Sequence, residues 1–208
     1  ENDVLQPVFR GKVDVVLVGF RIDPRLEPDA EEAVGVPPVP GDLARLDPAG
    51  VLELERAAQP VDDVVLDRGP SARLLDINLR VNGEDVVTYK ADGLIIATPT
   101  GSTAYSLSVG GPILNPRTEA MVAAPIAPFS LTTRPMVFSG DDMLEIQLMT
   151  KYDEAHLTLD GQVGIAVRQG EPILISRADY KIRLITFKEN SYYQLLRNKL
   201  HWGVPPNY

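Results

Sequence analysis

The residues best suited to chemistry in this chain lie in one stretch. It runs Asp92-Gly93-Leu94-Ile95-Ile96-Ala97-Thr98-Pro99-Thr100-Gly101-Ser102-Thr103-Ala104-Tyr105, then Ser106-Leu107-Ser108 and Gly110-Gly111-Pro112. The pattern is a short buried strand that enters a turn of small hydroxyl residues and then a helix start. Such a start presents unpaired backbone N–H groups and the positive end of a dipole, which suits a phosphate or another polar ligand group. Thr100, Ser102 and Thr103 add hydroxyls, and Gly101 lets a ligand approach the backbone closely. The plain alternative is an ordinary Ser/Thr-capped helix after a strand. The residue types leave both open.

Other chemistries find less support. No Gly-Lys-Ser/Thr follows the glycine spacing of a Walker A loop, and no G-x-G-x-x-G opens a βαβ unit. Ser102 or Ser106 with His156 and an Asp would make a hydrolase triad on paper, but G-x-S-x-G is absent. His156 and His201 are the only histidines and lie far apart in the chain, so no zinc-like spacing forms. His156 falls in a strand pattern with Leu157 and Leu159 and reads as packed or solvent-facing. Asp160-Gly161 reads as a turn between strands, with Gln162 beside it as the ligand contact. The chain has no cysteine, which removes disulfides, thiolate metal sites and thiol nucleophiles together. Trp202 reads as core or interface.

The elements that must position this loop are mostly strands. Leu75, Ile77, Leu79 and Val81 alternate with Asp76, Asn78 and Arg80, the period-2 mark of a half-buried strand. Asn82-Gly83 then supplies the two positive-φ positions of a type I′ turn, and Glu84–Tyr89 returns. Further strands are predicted at Leu94–Ala97, Met136–Phe138, Leu144–Leu148, His156–Leu159, Gly164–Val167, Pro172–Ser176 and Ile182–Phe187. Two helices are expected, one opening near Ser102 and one over Ser191–Leu200 with Ser191 as its N-cap. The first 60 residues differ. They hold 12 acidic and 6 basic side chains, and six prolines fall between Pro24 and Pro48. Only Val13–Val18 reads as a strand there; Ile22–Val39 looks like loop, and Leu43–Ala58 like a short helix interrupted by Pro48 and Gly50. We therefore expect an α+β chain: a mostly β domain over 61–208, preceded by a reduced or irregular α/β segment over 1–60.

Composition narrows the class. With 208 residues, 44% hydrophobic and 24% charged, the chain can bury a core and is neither collagen-like nor wholly disordered. A net charge of −9 argues against a nucleic-acid backbone binder, which needs clustered Lys and Arg. No run approaches a membrane span and no secretory signal opens the chain, so no membrane partner and a cytoplasmic location are expected.

The string DGLIIATPTGSTAYSLSVGGPIL closely resembles the signature of the NAD kinase family. The resemblance runs on through VVLDRGPSAR (64–73), YKADG (89–93), PIAPFSLTTRPMV (125–137), LTLDGQ (157–162) and LRNKLHWG (196–203), covering about 61–202. It implies transfer of the γ-phosphoryl of ATP to the adenosine-ribose 2′-hydroxyl of NAD, giving NADP, with Mg²⁺ accompanying ATP. It also implies a homo-oligomer whose sites are shared between subunits. The matching dinucleotide-site residues are Asp62, Asp63, Arg73, Lys90, Asp92, Thr103, Ala104, Tyr105, Ser106, Ser108, Ala127 and Gln162. Tyr105 offers a flat apolar face with a polar tip to adenine or nicotinamide. Asp92 would accept from ribose or base donors. Lys90, on the same strand face, would reach phosphate.

Two features depart from the family pattern. The catalytic Gly-Gly-Asp-Gly-Thr loop, whose aspartate is the family's general base, has no counterpart: the strand Val13–Val18 leads into Gly19-Phe20-Arg21-Ile22-Asp23. Before VVLDRGPSAR the family has Asn-Glu, and this chain has Asp62-Asp63. An ionised Asp only accepts, and facing a diphosphate it would repel it. The first 60 residues are also too short for the α/β domain that precedes this body in the family, so most of that domain is expected to be lost, replaced or outside these residues. The rival expectation is a non-catalytic NAD(P)-binding or oligomerising module that keeps the dinucleotide loop without the catalytic one.

Overall fold

The computed structural model describes residues 12–16, 20–24, 45–46, 52–53, 62–150, 155–161, 163–170, 172–178, 182–186 and 191–201. By contacts the chain divides into two units. In the first, Glu1–Val16 with Ile182–Tyr208, strand β1 (Lys12–Val16) pairs antiparallel with the last strand, Ile182–Thr186. The same unit holds a nine-residue helix, Tyr192–Leu200, whose N-cap Ser191 accepts from the Gln194 N–H at 3.2 Å.

The second unit, Leu17–Lys181, begins with β2 (Phe20–Pro24), then β3 (Arg45–Leu46) and β4 (Leu52–Glu53), which pair with each other. β5 (Asp63–Asp67), β6 (Leu75–Val81), β7 (Glu84–Ala91) and β8 (Gly93–Ala97) follow. A 3₁₀ turn at Gly101–Thr103 and a single helical turn, α1 (Tyr105–Ser108), separate them from β9 (Ala120–Ile126). β10 (Met136–Ser139), β11 (Leu144–Leu148), β12 (Ala155–Leu159), β13 (Val163–Val167) and β14 (Pro172–Arg177) complete the unit; the strand at Ile182–Thr186 is β15 and the C-terminal helix α2. All the described pairings are antiparallel; besides the pairs β1-β15 and β3-β4 they form a six-stranded sheet, β10-β9-β8-β5-β12-β13, and a five-stranded sheet, β2-β14-β11-β6-β7.

The alternation along β6 is realised. Leu75, Ile77 and Leu79 are buried, and with Leu144, Ile146, Leu148, Ile173 and Ile175 they face Val64, Leu66, Leu94, Ile96, Leu157 and Leu159 of the other sheet. Asn82 and Gly83 take φ of 52° and 83°, as the type I′ turn requires. The strands β5 and β8 lie inside the six-stranded sheet; β8 is apolar on both faces, whereas β5 carries Asp63, Val65 and Asp67 on its second face. Their second face carries a smaller core, Val65, Ile95, Ala97, Val122 and Ala124, onto which Val109 and Leu114 pack. The segment after β8 therefore roofs part of that face.

Four local expectations change. Inside the helix expected over Leu43–Ala58, the structure has the paired strands β3 and β4; Pro48 and Gly50 favour a turn there over a helix. Part of the expected loop Ile22–Val39 is strand, since β2 pairs with β14 and the remainder lies outside the described residues. The helix expected from Ser102 is only a 3₁₀ turn and one α turn, because Gly110 at φ 86° and Pro112 stop it. The strand β9 carries none of the expected signals, being rich in Ala and holding Pro125. Pro125 is tolerated because β10 covers only residues 120–123, so no ladder bond is demanded of it on that side.

Candidate functional site

The chemistry-bearing loop is built by its own hydrogen bonds. Thr98 N–H donates to the Asp62 carbonyl at 2.9 Å and its hydroxyl to Asp62 Oδ1 at 3.3 Å, tying the end of β8 to the start of β5. Gly101 N–H donates to Thr98 Oγ1 at 3.1 Å. Ser102 Oγ donates to the Pro99 carbonyl at 2.6 Å and accepts from Leu114 N–H at 3.0 Å, so this fully buried hydroxyl holds the loop together. The bare Cα of Gly101 presses on the Asp62 carbonyl, where any Cβ would overlap the oxygen. Gly101 is thus demanded by the protein's own backbone, not by a ligand, and Ser102 is spent internally.

The roof laid by this loop stops short of β5 and β12, and a cavity of about 600 Å³ remains there. Odd residues of β5 point into it, so Asp63, Val65 and Asp67 line one wall with Asp62 at the strand's start. Thr158 and Asp160, alternate residues at the end of β12, line the neighbouring wall with Gly161, while Ala104 and Tyr105 close the side toward the loop. The ring of Tyr105 is 44% exposed and free to stack on a ligand.

This cavity is acidic. Asp160, in the left-handed region at φ 48°, uses one oxygen, Oδ1, to accept from Asp62 N–H at 2.7 Å and Asp63 N–H at 3.0 Å. Burial, Asp160 and Asp63 push the Asp62 carboxyl up to about 6 despite the Thr98 hydrogen bond. Asp63 is raised too, by burial and then by Asp160. No Lys, Arg or His lines the cavity among the described residues.

The expected site residues fall into groups. Asp62, Asp63, Ala104 and Tyr105 meet in the cavity. Thr103 lies in the 3₁₀ turn, its hydroxyl donating to the Thr100 carbonyl at 3.1 Å. Ser108 is exposed at the end of α1, whereas Ser106 is fully buried against Gly111. A second group gathers where β7, β8 and β9 end. Asp92 N–H donates to the Ile126 carbonyl at 2.9 Å, Ala127 turns the chain at φ 43°, and Phe129 N–H donates to the Lys90 carbonyl at 2.8 Å. Lys90 is exposed, with Asp76 at 3.9 Å; Arg73 is exposed on the β5–β6 connection. Gln162 lies outside the described residues.

Sequence reasoning missed Arg68, Asp67, Thr158 and Asp160. Arg68 Nε meets Asp92 Oδ1 at 2.7 Å, its N–H donates to the Asp92 carbonyl at 3.1 Å, and its guanidinium also reaches the Ser71 carbonyl. The available signal for the others was polar residues at alternate positions of otherwise apolar strands. Among the described residues, no group of three His, Asp or Glu is arranged to hold a metal, and no helix is long and apolar enough to cross a membrane.

Comparison with known proteins converges on one family. Residues 61–187 match the model of the ATP-NAD kinase C-terminal domain. The NAD kinase of Geotalea daltonii is 47% identical over 154 residues, 74% of this chain and 54% of that one. The NAD kinase of Geobacter metallireducens is 45% identical over 143 residues, 69% and 50% of the two chains. The chain thus spans about half the length of these relatives. The crystal structure of yeast NADH kinase with NADH has the same fold, with a TM-score of 0.71 at 24% identity, over 95% of this chain and 51% of that one. An Archaeoglobus fulgidus NAD kinase with ATP gives 0.59, also at 24% identity, covering 91% and 59%. With more than half of its length matched by the family's C-terminal domain, the chain belongs to the NAD kinase family.

Proposed function

We propose that this chain binds NAD in the cavity between the signature loop and β5, as the dinucleotide-holding part, residues 61–208, of an enzyme that phosphorylates the adenosine-ribose 2′-hydroxyl of NAD with ATP. The observation that carries the reading is the meeting of Ala104 and Tyr105 from the signature loop with Asp62 and Asp63 around one cavity. Tyr105 stacks on a ring of the dinucleotide, and the Asp62 and Asp63 carboxyls hydrogen-bond its polar groups. Phosphoryl transfer depends on positioning and charge neutralisation, and these residues supply the positioning. Mg²⁺ would enter on the phosphates of ATP. Asp92, Lys90, Arg73 and Ala127 gather at the ends of strands, where a second subunit of a homo-oligomer would share them.

A second reading is favoured by one observation: no Gly-Gly-Asp-Gly-Thr loop occurs in these 208 residues. On that reading the chain binds NAD or NADP without turnover. Calorimetric titration with NAD, beside an assay of NADP formation from NAD, ATP and Mg²⁺, separates the two. Turnover lost in Asp92→Ala and reduced in Tyr105→Phe supports the kinase, and binding without turnover supports the module. Absence of both would show the signature loop to be structural here.

A further inference from the structure

Four carboxyl side chains, Asp62, Asp63, Asp67 and Asp160, line a cavity that the preceding reading fills with a diphosphate-bearing ligand. No cation among the described lining residues offsets them. An anion brought against four fixed carboxylates is repelled, and the least costly relief is for one of them to take a proton.

The geometry singles out which one. Asp160 is engaged through Oδ1, which accepts two backbone N–H groups. Asp67 Oδ1 accepts from Gly69 N–H at 2.7 Å. Asp63, the first residue of β5, is raised by burial and Asp160, with no contribution from Asp62. Asp62 is different. Its N–H is held by Asp160, its carbonyl by Thr98 N–H, and Gly101 packs on that carbonyl, so the residue cannot swing away. Its carboxyl faces Asp160 from the β12–β13 turn, Asp63 from its own strand and the Thr98 hydroxyl from the end of β8. Among the described residues, one neutral hydrogen bond, at 3.3 Å, supports the charge. Oδ1 accepts from Thr98, which leaves Oδ2 to carry a proton and donate it.

We propose that Asp62 enters the dinucleotide complex as a neutral carboxylic acid, its hydroxyl donating to the ligand, so that a proton on Asp62 governs loading of the cavity. The inference rests on the NAD-binding reading. It also accounts for how an aspartate can occupy a position from which an ionised side chain would repel the ligand. The raised Asp62 carboxyl, pushed up to about 6, sets the range in which the switch acts.

The test is calorimetric titration of the full chain with NAD from pH 5.5 to pH 8, for wild type, Asp62→Asn and Asp63→Asn. If the acid is required, wild-type affinity falls about tenfold per unit above 6, roughly 50- to 100-fold across the range. Asp62→Asn, which donates at every pH, binds with a flat profile, and Asp63→Asn keeps most of the slope. Carboxyl ¹³C titration gives a readout that does not depend on affinity. One Asp signal titrates near 6, is missing in Asp62→Asn, and moves to higher pH with NAD. Parallel wild-type and Asp62→Asn profiles, or a midpoint that NAD moves downward, overturn the proposal while leaving NAD binding intact. If neither protein binds NAD at any pH, the dinucleotide reading fails and takes this proposal with it.

Discussion

Asp160 allows the charge of a carboxylate to be separated from its ability to accept. Its Oδ1 takes the N–H groups of Asp62 and Asp63, and its charge raises both of their carboxyls. Asp160→Ala leaves two half-buried N–H groups without a partner. It also places alanine at φ 48°, where Asp is tolerated better. Hydrogen bonds to charged groups are worth about 1.5–3 kcal/mol each, and water reaches this site, so about 2–4 kcal/mol is lost in all. Relief of repulsion at Asp62 and Asp63 returns about 1 kcal/mol of that at most, given solvent screening. Asp160→Asn keeps the acceptor, fits the same φ and removes the charge. Its weaker bonds and the relieved repulsion offset each other to within about 1 kcal/mol.

The pH dependence separates the variants further. Asp62 has a folded pKa of about 6 against an ordinary 3.8, so its proton favours the folded state. Its contribution is fully present below 3.8 and is lost as pH rises through about 6. Asp160→Asn lowers the folded value and shrinks that loss, so it gains on wild type between pH 5.5 and pH 7.5. Urea unfolding followed by circular dichroism at both pH values measures this. Equal losses for the Ala and Asn variants at pH 7.5 would refute the view that Oδ1 acts as an acceptor shared by two N–H groups.

Three further outcomes follow from the same geometry. Gly101→Ala puts a methyl onto the Asp62 carbonyl and should cost more than about 3 kcal/mol, whereas Gly83→Ala, with open space around it, should cost about 1 kcal/mol from its positive φ alone; comparable midpoints in urea would contradict the close approach at Gly101. Arg68→Gln frees the Asp92 carboxylate and should weaken NAD binding about tenfold with the circular dichroism spectrum unchanged, while Arg68→Lys restores part of it; unaltered calorimetric affinity would remove Arg68 from the site. Phe129 and Leu131 are 73% and 90% exposed, large apolar side chains of the kind that a second copy of the chain would cover. Sedimentation velocity should show the wild type as a dimer or larger and a Phe129→Ser/Leu131→Ser variant as a monomer, and a monomeric wild type would discard this interface.

Much of the architecture was legible locally. Alternation in Leu75–Val81, the Asn82-Gly83 turn and the Ser191 cap are decided by neighbours in sequence, and each is found where the residues place it. The strand β9 was not legible: its Ala-rich, Pro-containing run becomes a strand only because β8 and β10 pair with it. Likewise, the Asn-Gly turn fixes its own dihedrals, but nothing local specifies the pairing of Arg45–Leu46 with Leu52–Glu53.

The candidate site divides the same way. The string from Asp92 to Leu114, with the ordered matches on either side of it, carries the resemblance to the NAD kinases and names the residues worth watching. Which of them line the cavity was decided by the fold. Ser102 and Gly101 turn inward because Pro99, Leu114 and Asp62 meet them there. Asp67, Thr158 and Asp160 join the cavity because antiparallel pairing of β5 with β12 sets their alternate residues on one face. Sequence determines conformation where the deciding contacts lie within a few residues; the shared acidic wall needed side chains about a hundred positions apart, and only the sheet register brings those together.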